Sequence, residues 1–116
     1  LLARAAIEGV VCNLLEGAEA LPRRDGRLFL IGGGSHSAAY RRVVADLTGR
    51  AVLVPADQEL VACGAAVQAA AVLHGSSFDE LATAWDLGAG EVVEPDPAVD
   101  RDAIRAAYAA ARGADG

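Results

Sequence analysis

A run of three glycines, Gly32 to Gly34, stands between a short apolar segment and a helical pattern. Consecutive glycines lose much conformational entropy on folding, so they indicate either positive φ angles or a close approach to the main chain. Without side chains in the way, the backbone N–H groups of Gly33, Gly34 and Ser35 are open to a ligand, and the helix start adds unpaired donors. The Ser37 hydroxyl can reach a base or a ribose. These residues therefore suit a phosphate or the polar edge of a nucleoside.

A second interpretation of the same turn needs no ligand. Glycine-rich turns between a strand and a helix also occur in α/β proteins for tight packing, and Ser35 or Ser37 can serve as a helix N-cap. The spacing matches neither the dinucleotide fingerprint GxGxxG nor the phosphate loop, because no Lys follows the glycines. The residues alone leave both interpretations open.

The other polar residues near the turn give weaker indications. His36 adjoins the glycines and can touch a ligand, although a loop histidine is more often only solvated. We expect Arg41 and Arg42 on the exposed face of their helix, and Glu59 as a partner of a helix dipole rather than a general base. Gly64 is expected at a point of close helix packing.

Two strands and three helices must position the turn. Apolar spacings of three and four predict a helix over residues 1–21, in which Gly9 and Gly17 mark close approaches to a neighbour. The uninterrupted apolar run in "RLFLI" predicts a strand covered on both faces. The next predicted element is a helix over 37–47, with Asp46 on its exposed side and Gly49 at its end. A strand follows in "AVLVP" and is stopped by Pro55. After it comes a helix over 58–74, which is capped by Asp57 and packs tightly on the sheet. Strand, helix and parallel strand form a βαβ unit, so the predicted fold class is α/β.

The last third of the chain has clear local signals but no clear period in its middle. Ser77 and Glu80 are predicted to form a capping box before a short helix. Residues 86–100 are predicted to form an extended surface strap anchored by Trp85. The last predicted helix covers 101–112, between its cap Asp100 and Gly113.

Composition excludes several classes of function. At 116 residues, 53% of them hydrophobic, the chain is one globular domain at most. The net charge of −6 argues against nucleic acid or an anionic membrane as a partner. With neither a membrane-spanning run nor a secretory signal in the sequence, we expect a cytoplasmic protein. Cys12 and Cys63 are expected as free thiols, and no residues have the spacing of a metal site.

The order of these motifs resembles the C-terminal part of the FGGY carbohydrate kinases, which belong to the actin-like ATPase superfamily. The resemblance rests on an apolar strand followed by "GGGSHSAAYRRVVADLTG", a second strand ending in proline, and then "ADQELVACGAAVQAA". The tail "EVVEPDPAVDRDAIRAAYAAARG" is most similar to the xylulokinases of that family. The resemblance implies an actin-like, ribonuclease H-like domain with a parallel βαβ core, and it makes residues 1–116 the nucleotide-binding portion of a longer kinase.

Site residues follow from the resemblance position by position. In these kinases the backbone of Gly33 and Gly34 lies against the adenosine and phosphate part of ATP, and Ser37 matches a residue that hydrogen-bonds the adenine. The expected nucleotide-binding residues are therefore Gly32, Gly33, Gly34 and Ser37. The helix of Gly64 packs behind that pocket. The family's catalytic aspartate has no match in this sequence, so no catalytic residue is assigned. ATP is the expected cofactor at the residues above, and Mg²⁺ is expected to bind mainly through the missing part.

The expected function is that of the ATP-binding portion of a kinase that phosphorylates D-xylulose to D-xylulose 5-phosphate, inactive as a fragment because half a cleft cannot position both substrates. Two alternatives stay open: a kinase for glycerol, gluconate, ribulose or rhamnulose, and a non-catalytic α/β interaction module. The expected partners are ATP or ADP, and the sugar through the missing part. Two predicted strands are too few for independent stability, so we expect support from the missing half or from a second copy, as a homodimer.

Overall fold

A computed structural model describes residues 1–22, 26–56 and 59–113. The chain is elongated, with principal extents of 57 × 27 × 23 Å. Its elements in chain order are α1 (Leu2–Glu19), β1 (Leu28–Phe29), a 3₁₀ turn (Gly33–His36), α2 (Ala38–Thr48), β2 (Val52–Pro55), α3 (Leu60–His74), α4 (Phe78–Ala84), β3 (Gly90–Val93) and α5 (Arg101–Gly113). The predicted α/β class is confirmed.

The three strands form one sheet in the order β1, β2, β3. β1 and β2 are parallel, with Leu28 opposite Val52, and α2 connects them, which confirms the predicted βαβ unit. β1 has two residues rather than the predicted five. The ladder continues for one more bond, in which the Leu30 N–H donates to the Leu53 carbonyl at 2.9 Å, before the chain enters the glycine turn.

Part of the predicted strap is a strand. β3 pairs antiparallel with β2, and Gly90 stands opposite Pro55. A Cβ on Gly90 would lie 2.0 Å from the Val54 carbonyl oxygen, so only glycine permits this approach. The four residues "GEVV" show neither a full alternation nor a turn signal, which is why the sequence did not predict the strand. Trp85 is 44% exposed at the end of α4 and is not a buried anchor.

A buried carboxylate holds the strap instead. The Asp96 N–H donates to Oδ1 of Asp46 at 2.8 Å, and Asp46 is only 3% exposed. The prediction that Asp46 lies on the exposed side of α2 is therefore wrong. The strap crosses the side of α2 that was predicted to be exposed, and it covers Asp46. The buried carboxylate is tolerated there because it accepts a backbone hydrogen bond.

The hydrophobic core lies between helices on one side of the sheet. Its buried members are Val11, Cys12, Val43 and Leu47, on α1 and α2, and α5 adds the partly buried Ile104 and Tyr108. We call α1, α2 and α5 the helical layer. Both cysteines are free thiols, and Cys12 is buried in this core.

Much apolar surface lies outside the core. Phe29 and Val92, on the opposite face of the sheet, are 41% and 53% exposed, so in this chain the sheet is not covered on both faces. None of the 15 residues of α3, all of which are described, is buried, and α3 packs mainly on α4. The predicted tight packing of this helix on the sheet is wrong for this chain. A Cβ on Gly9, Gly17 or Gly64 would meet nothing within 4 Å, so the predicted close approaches are not formed either.

The predicted helix ends are largely confirmed. Gly49 adopts a left-handed φ of 65° after α2, and the side chains of Ser77 and Glu80 form the capping box of α4. The Ala103 N–H donates to Oδ1 of Asp100 at 3.0 Å. Glu59 stands at the N-cap of α3 without a side-chain capping bond, and the predicted cap, Asp57, lies outside the described residues. The last helix includes Gly113 rather than ending before it.

Across the described residues, no single helix has the length and apolarity of a membrane span. Only α3 and α4 taken together reach them, and these two helices are bent by 115° at the break between them.

Candidate functional site

The glycine turn lies at the carboxyl end of β1, where the chain leaves the sheet and enters α2. Gly32 has a φ of 90° and a ψ of −174°, a conformation that side-chain-bearing residues rarely adopt. It also accepts the hydrogen bond that closes the 3₁₀ turn, from the Ser35 N–H at 3.0 Å. The first glycine is therefore required by the backbone itself.

Ser35 is tied into the turn by two hydrogen bonds to one acceptor. Its N–H and its Oγ both donate to the Gly32 carbonyl, the latter at 2.6 Å, and its exposure is 9%. The prediction that the Ser35 amide is open to a ligand is therefore wrong. The leading N–H groups of the 3₁₀ turn, on Gly33 and Gly34, have no acceptor within the turn, as at any helix start.

The second and third glycines have different surroundings. A Cβ on Gly34 would lie 3.0 Å from the Tyr40 ring, so glycine at this position lets the ring pack on the turn. A Cβ on Gly33 would meet nothing within 4 Å, and its φ lies outside the left-handed region. Neither conformation nor internal packing requires glycine at position 33. This is the position at which a ligand close to the backbone would explain the residue.

Ser37 is the N-cap of α2. Its Oγ accepts the Tyr40 N–H at 3.3 Å, as the ligand-free interpretation of this serine predicted. This contact uses the hydroxyl as an acceptor and leaves its O–H as a donor, and the side chain is exposed. Capping and binding an acceptor atom of a ligand are therefore compatible.

A cleft of about 290 Å³ opens beside the turn. This is slightly below the range of ligand pockets, which measure roughly 300–1,000 Å³. Of the four predicted nucleotide-binding residues, Gly32 and Gly33 line the cleft, whereas Gly34 and Ser37 do not. The rest of the lining is Leu30, Ile31, Ser35, His36, Arg41, Val54, Pro55, Glu59 and Leu60. The space suits one part of a nucleotide rather than the whole molecule.

Arg41 is the functional candidate that the sequence analysis missed. Its Nε donates to the Ser35 carbonyl, and its Nη1 pairs with Oε2 of Glu91 at 2.5 Å. With 22% of the side chain exposed, Arg41 turns inward, contrary to the prediction of an outer-face residue. The available signal was helical spacing, since Arg41 lies four residues before the fully buried Ala45.

The expected Mg²⁺ would need ligating side chains that lie close together. Within residues 1–22, 26–56 and 59–113, no group of three His, Cys, Asp or Glu side chains lies close enough to hold a metal ion. The described residues thus offer no group of three such ligands for Mg²⁺, and we assign no chemical step to metal ligands of this chain.

Comparison with known proteins defines the class of the chain. Residues 1–73 match the C-terminal domain of the FGGY family of carbohydrate kinases. The chain therefore belongs to this family, as its motifs indicated.

The similar individual proteins are xylulose kinases. The chain is 43% identical over 105 residues to the xylulose kinase of Streptomyces rubiginosus and 40% identical over 105 residues to that of Streptomyces coelicolor. Each alignment covers 87% of this chain and 21% of the kinase. The chain thus spans about a fifth of the length of these curated relatives.

The fold is also similar to a solved structure. The crystal structure of xylulose kinase from Bifidobacterium adolescentis superposes with a TM-score of 0.62 at 37% sequence identity. The superposition covers 97% of this chain and 22% of that kinase. The α5 helix and the strap are therefore part of the shared architecture, although the family match ends at residue 73.

Proposed function

We propose that this chain is the nucleotide-binding portion of an ATP-dependent sugar kinase, whose full-length form phosphorylates D-xylulose to D-xylulose 5-phosphate. The observation that carries the proposal is the 43% identity with the xylulose kinase of Streptomyces rubiginosus, which extends over 87% of the chain. The proposed fold is half of an actin-like ATPase cleft, with the glycine turn on the nucleotide side.

The turn contributes to nucleotide binding through its backbone. Gly32 redirects the chain at the end of β1, and Gly33 allows the adenosine and phosphate part of ATP to approach the main chain. Support for Gly33 comes from the open space around its Cβ position and from its place in the cleft lining. The Ser37 O–H donates to the adenine, and the 11-residue α2 helix directs its positive end toward the same side.

Phosphoryl transfer needs groups that this chain does not supply. The proton acceptor for the sugar hydroxyl, the sugar-binding residues and the ligands of Mg²⁺ belong, in this proposal, to the rest of the kinase. Catalysis of this reaction depends on positioning and on charge stabilisation across a closed cleft. The isolated chain is therefore proposed to have no kinase turnover. We also propose that its folded structure is stabilised by the rest of the kinase or by a homodimer partner.

Calorimetric titration of the full-length protein with ADP tests the nucleotide site. The Gly33→Asp variant should lose affinity at least about tenfold, because a carboxylate placed against the phosphates repels them. The Gly9→Asp variant is the matched control, since a Cβ on either glycine meets nothing within 4 Å. Equal ADP affinity in wild type and Gly33→Asp would remove Gly33 from the site.

A substrate panel tests the reaction. ADP release by the full-length protein should be fastest with D-xylulose and slower with ribulose, rhamnulose, gluconate and glycerol. If another sugar is preferred, the proposal of a sugar kinase stands, but its substrate is that sugar and not D-xylulose.

One observation favours the alternative of an interaction module. The packing of Tyr40 on Gly34 and the hydrogen bonds of Ser35 explain these two residues of the turn without a ligand. A full-length protein that binds no adenine nucleotide would favour that alternative over the kinase.

A further inference from the structure

The Arg41 guanidinium joins three elements at the glycine turn. Arg41 itself lies on α2, its Nε donates to the Ser35 carbonyl of the 3₁₀ turn, and its Nη1 pairs with Glu91 of β3. The arginine also lines the cleft with Gly32 and Gly33. One side chain thus connects the turn to a strand 50 residues further along the chain.

Apart from the Tyr40 ring, which packs on Gly34, the turn has few other restraints. Its internal hydrogen bonds are short in range, from Ser35 to Gly32 and from the Ser37 N–H to the Gly34 carbonyl at 3.1 Å. Three consecutive glycines leave the unliganded backbone many conformations, so a loosely held turn would have to be ordered when a ligand binds. A charge-assisted bond from Arg41 to the Ser35 carbonyl fixes that peptide from outside the turn.

Arginine suits this position better than lysine. A guanidinium presents several N–H donors in a rigid plane, so Nε and Nη1 can bind two different acceptors at once, whereas an ammonium is a single compact charge. Glu91 is 61% exposed, and an ion pair so open to water contributes little to stability. The pair therefore acts on the orientation of Arg41 more than on the stability of the fold.

We propose that Arg41 is a positioning residue of the nucleotide site, which holds the glycine turn in its binding conformation, and that Glu91 orients Arg41 for this role. The inference rests on the proposed binding of a nucleotide at this turn. It connects β3, the strand within the strap, to nucleotide affinity.

Steady-state kinetics and ADP titration of the full-length kinase test this inference, with the variants Arg41→Met, Arg41→Lys and Glu91→Gln. Loss of the arginine should raise the ADP dissociation constant and the KM for ATP about tenfold, while the KM for the sugar and the melting temperature change little. Lysine should restore only part of the affinity. Arg42→Met, at the next and exposed position of α2, is the matched control and should behave as wild type.

The double variant tests whether Glu91 affects nucleotide binding through Arg41. Glu91→Gln should weaken ADP binding about threefold alone and should add nothing when Arg41 is already methionine, since both changes release the same turn. A Glu91→Gln variant with wild-type affinity, beside a weakened Arg41→Met, would overturn the positioning role. If Arg41→Met does not fold, Arg41→Lys and Glu91→Gln still decide the question by the same readouts.

Failure of the proposed function gives a different pattern of results. A wild-type protein that binds no ADP would remove the nucleotide site, and the inference with it. A wild-type protein that binds ADP, with weakened Gly33→Asp and unchanged Arg41 variants, would overturn the inference alone.

Discussion

The helical layer and the α3–α4 pair are built from similar apolar residues but pack very differently. We call α3 and α4 the arm. In the helical layer, Val11 and Leu47 are each 1% exposed, whereas in the arm Val61 and Val72 are 90% and 88% exposed. Leu81 of α4, at 8%, is the buried hydrophobic residue of the arm. Apolar composition makes a helix able to pack, but burial requires a neighbour on the correct side.

The arrangement of apolar residues explains the difference. α2 has an apolar stripe and a polar face, and α1 and the strap cover these two faces within this chain. α3 is alanine-rich and apolar on all sides, a composition typical of helices with neighbours all around them. The described residues provide it with one main neighbour, α4. Four predictions follow from this contrast between the layer and the arm.

The largest expected difference is in thiol reactivity. Cys12 lies in the layer and Cys63 in the arm, where it is only partly buried. Burial raises the pKa of the Cys12 thiol, and nearby Arg105 only partly opposes this. Since the thiolate is the reactive form, Cys12 should react with iodoacetamide at least about 100-fold more slowly than Cys63, the ratio given by an opening free energy of about 3 kcal/mol.

Mass spectrometry of the labelled peptides measures both rates in one sample. The Cys63→Ser variant isolates the slow reaction, and urea should make the two cysteines equally reactive. Similar rates in the native chain would mean that the layer is no better packed than the arm.

A second difference is expected in the response to core truncation. Leu47→Ala removes a fully buried side chain and should cost about 2–5 kcal/mol of unfolding free energy, because it leaves a cavity between α1 and α2. Val72→Ala in α3 should change stability by less than about 0.5 kcal/mol. Urea unfolding of the 116-residue chain gives both values, measured at a protein concentration that maintains the proposed homodimer and its cooperative transition. A large cost at Val72 would show that α3 has a packing partner in solution.

How far the sequence predicts this molecule depends on the range of the interactions. Helix periodicity, the αL glycine at Gly49 and the capping box of Ser77 and Glu80 involve residues within one or two turns, and these predictions are confirmed. The burial of Asp46 and the inward turn of Arg41 each depend on a partner 50 residues away, on a strap whose strand gave no pattern. The helical spacing of Arg41 from Ala45 is a local signal that it faces inward, but no local signal identifies the partner of either side chain.

The candidate site divides in the same way. The glycines mark the turn in the sequence, yet only the structure separates their roles, since Gly32 has a left-handed φ and Gly34 leaves room for the Tyr40 ring. Gly33 is required by neither its conformation nor a neighbouring side chain, and the proposed nucleotide would account for it. The arginine that holds the turn was assigned to the wrong face because its acceptors are a backbone carbonyl and a distant glutamate.

A third prediction concerns the contact that joins the strap to the layer. Asp46→Ala should cost about 1–3 kcal/mol, because the partly buried hydrogen bond that the Asp96 N–H donates to the buried Asp46 carboxylate is lost. Asp46→Asn keeps an acceptor oxygen and should cost less. Asp102→Ala, which removes a carboxylate that is 91% exposed, is the control and should be close to neutral. Urea unfolding compares the three variants, and an Asp46→Ala protein as stable as wild type would mean that the strap is held by other contacts.

The smallest expected effect lies in the arm and depends on pH. The Ser77 N–H donates to the Glu80 carboxylate at 2.8 Å, and this bond, with that of the Ser77 hydroxyl, lowers the pKa of Glu80. A lowered pKa means that folding favours the charged form. The contribution is therefore present above the ordinary glutamate pKa of about 4.3 and is lost as the pH falls through the lower value of the folded chain.

NMR titration of the α4 amide signals between neutral and acidic pH measures this effect. Ser77→Ala should shift the Glu80 pKa back toward its ordinary value and reduce the helicity of α4, at a cost of about 1 kcal/mol to that helix. Glu80→Gln keeps the length of the side chain and should abolish the contribution of Glu80 to this pH dependence, leaving that of Asp79 in the same turn. Because Ser77 and Glu80 are both exposed and α4 has only Leu81 buried, the signals of the helical layer should not follow this titration. A layer that loses structure together with α4 would show that the two regions unfold as one unit, which would end the distinction between them.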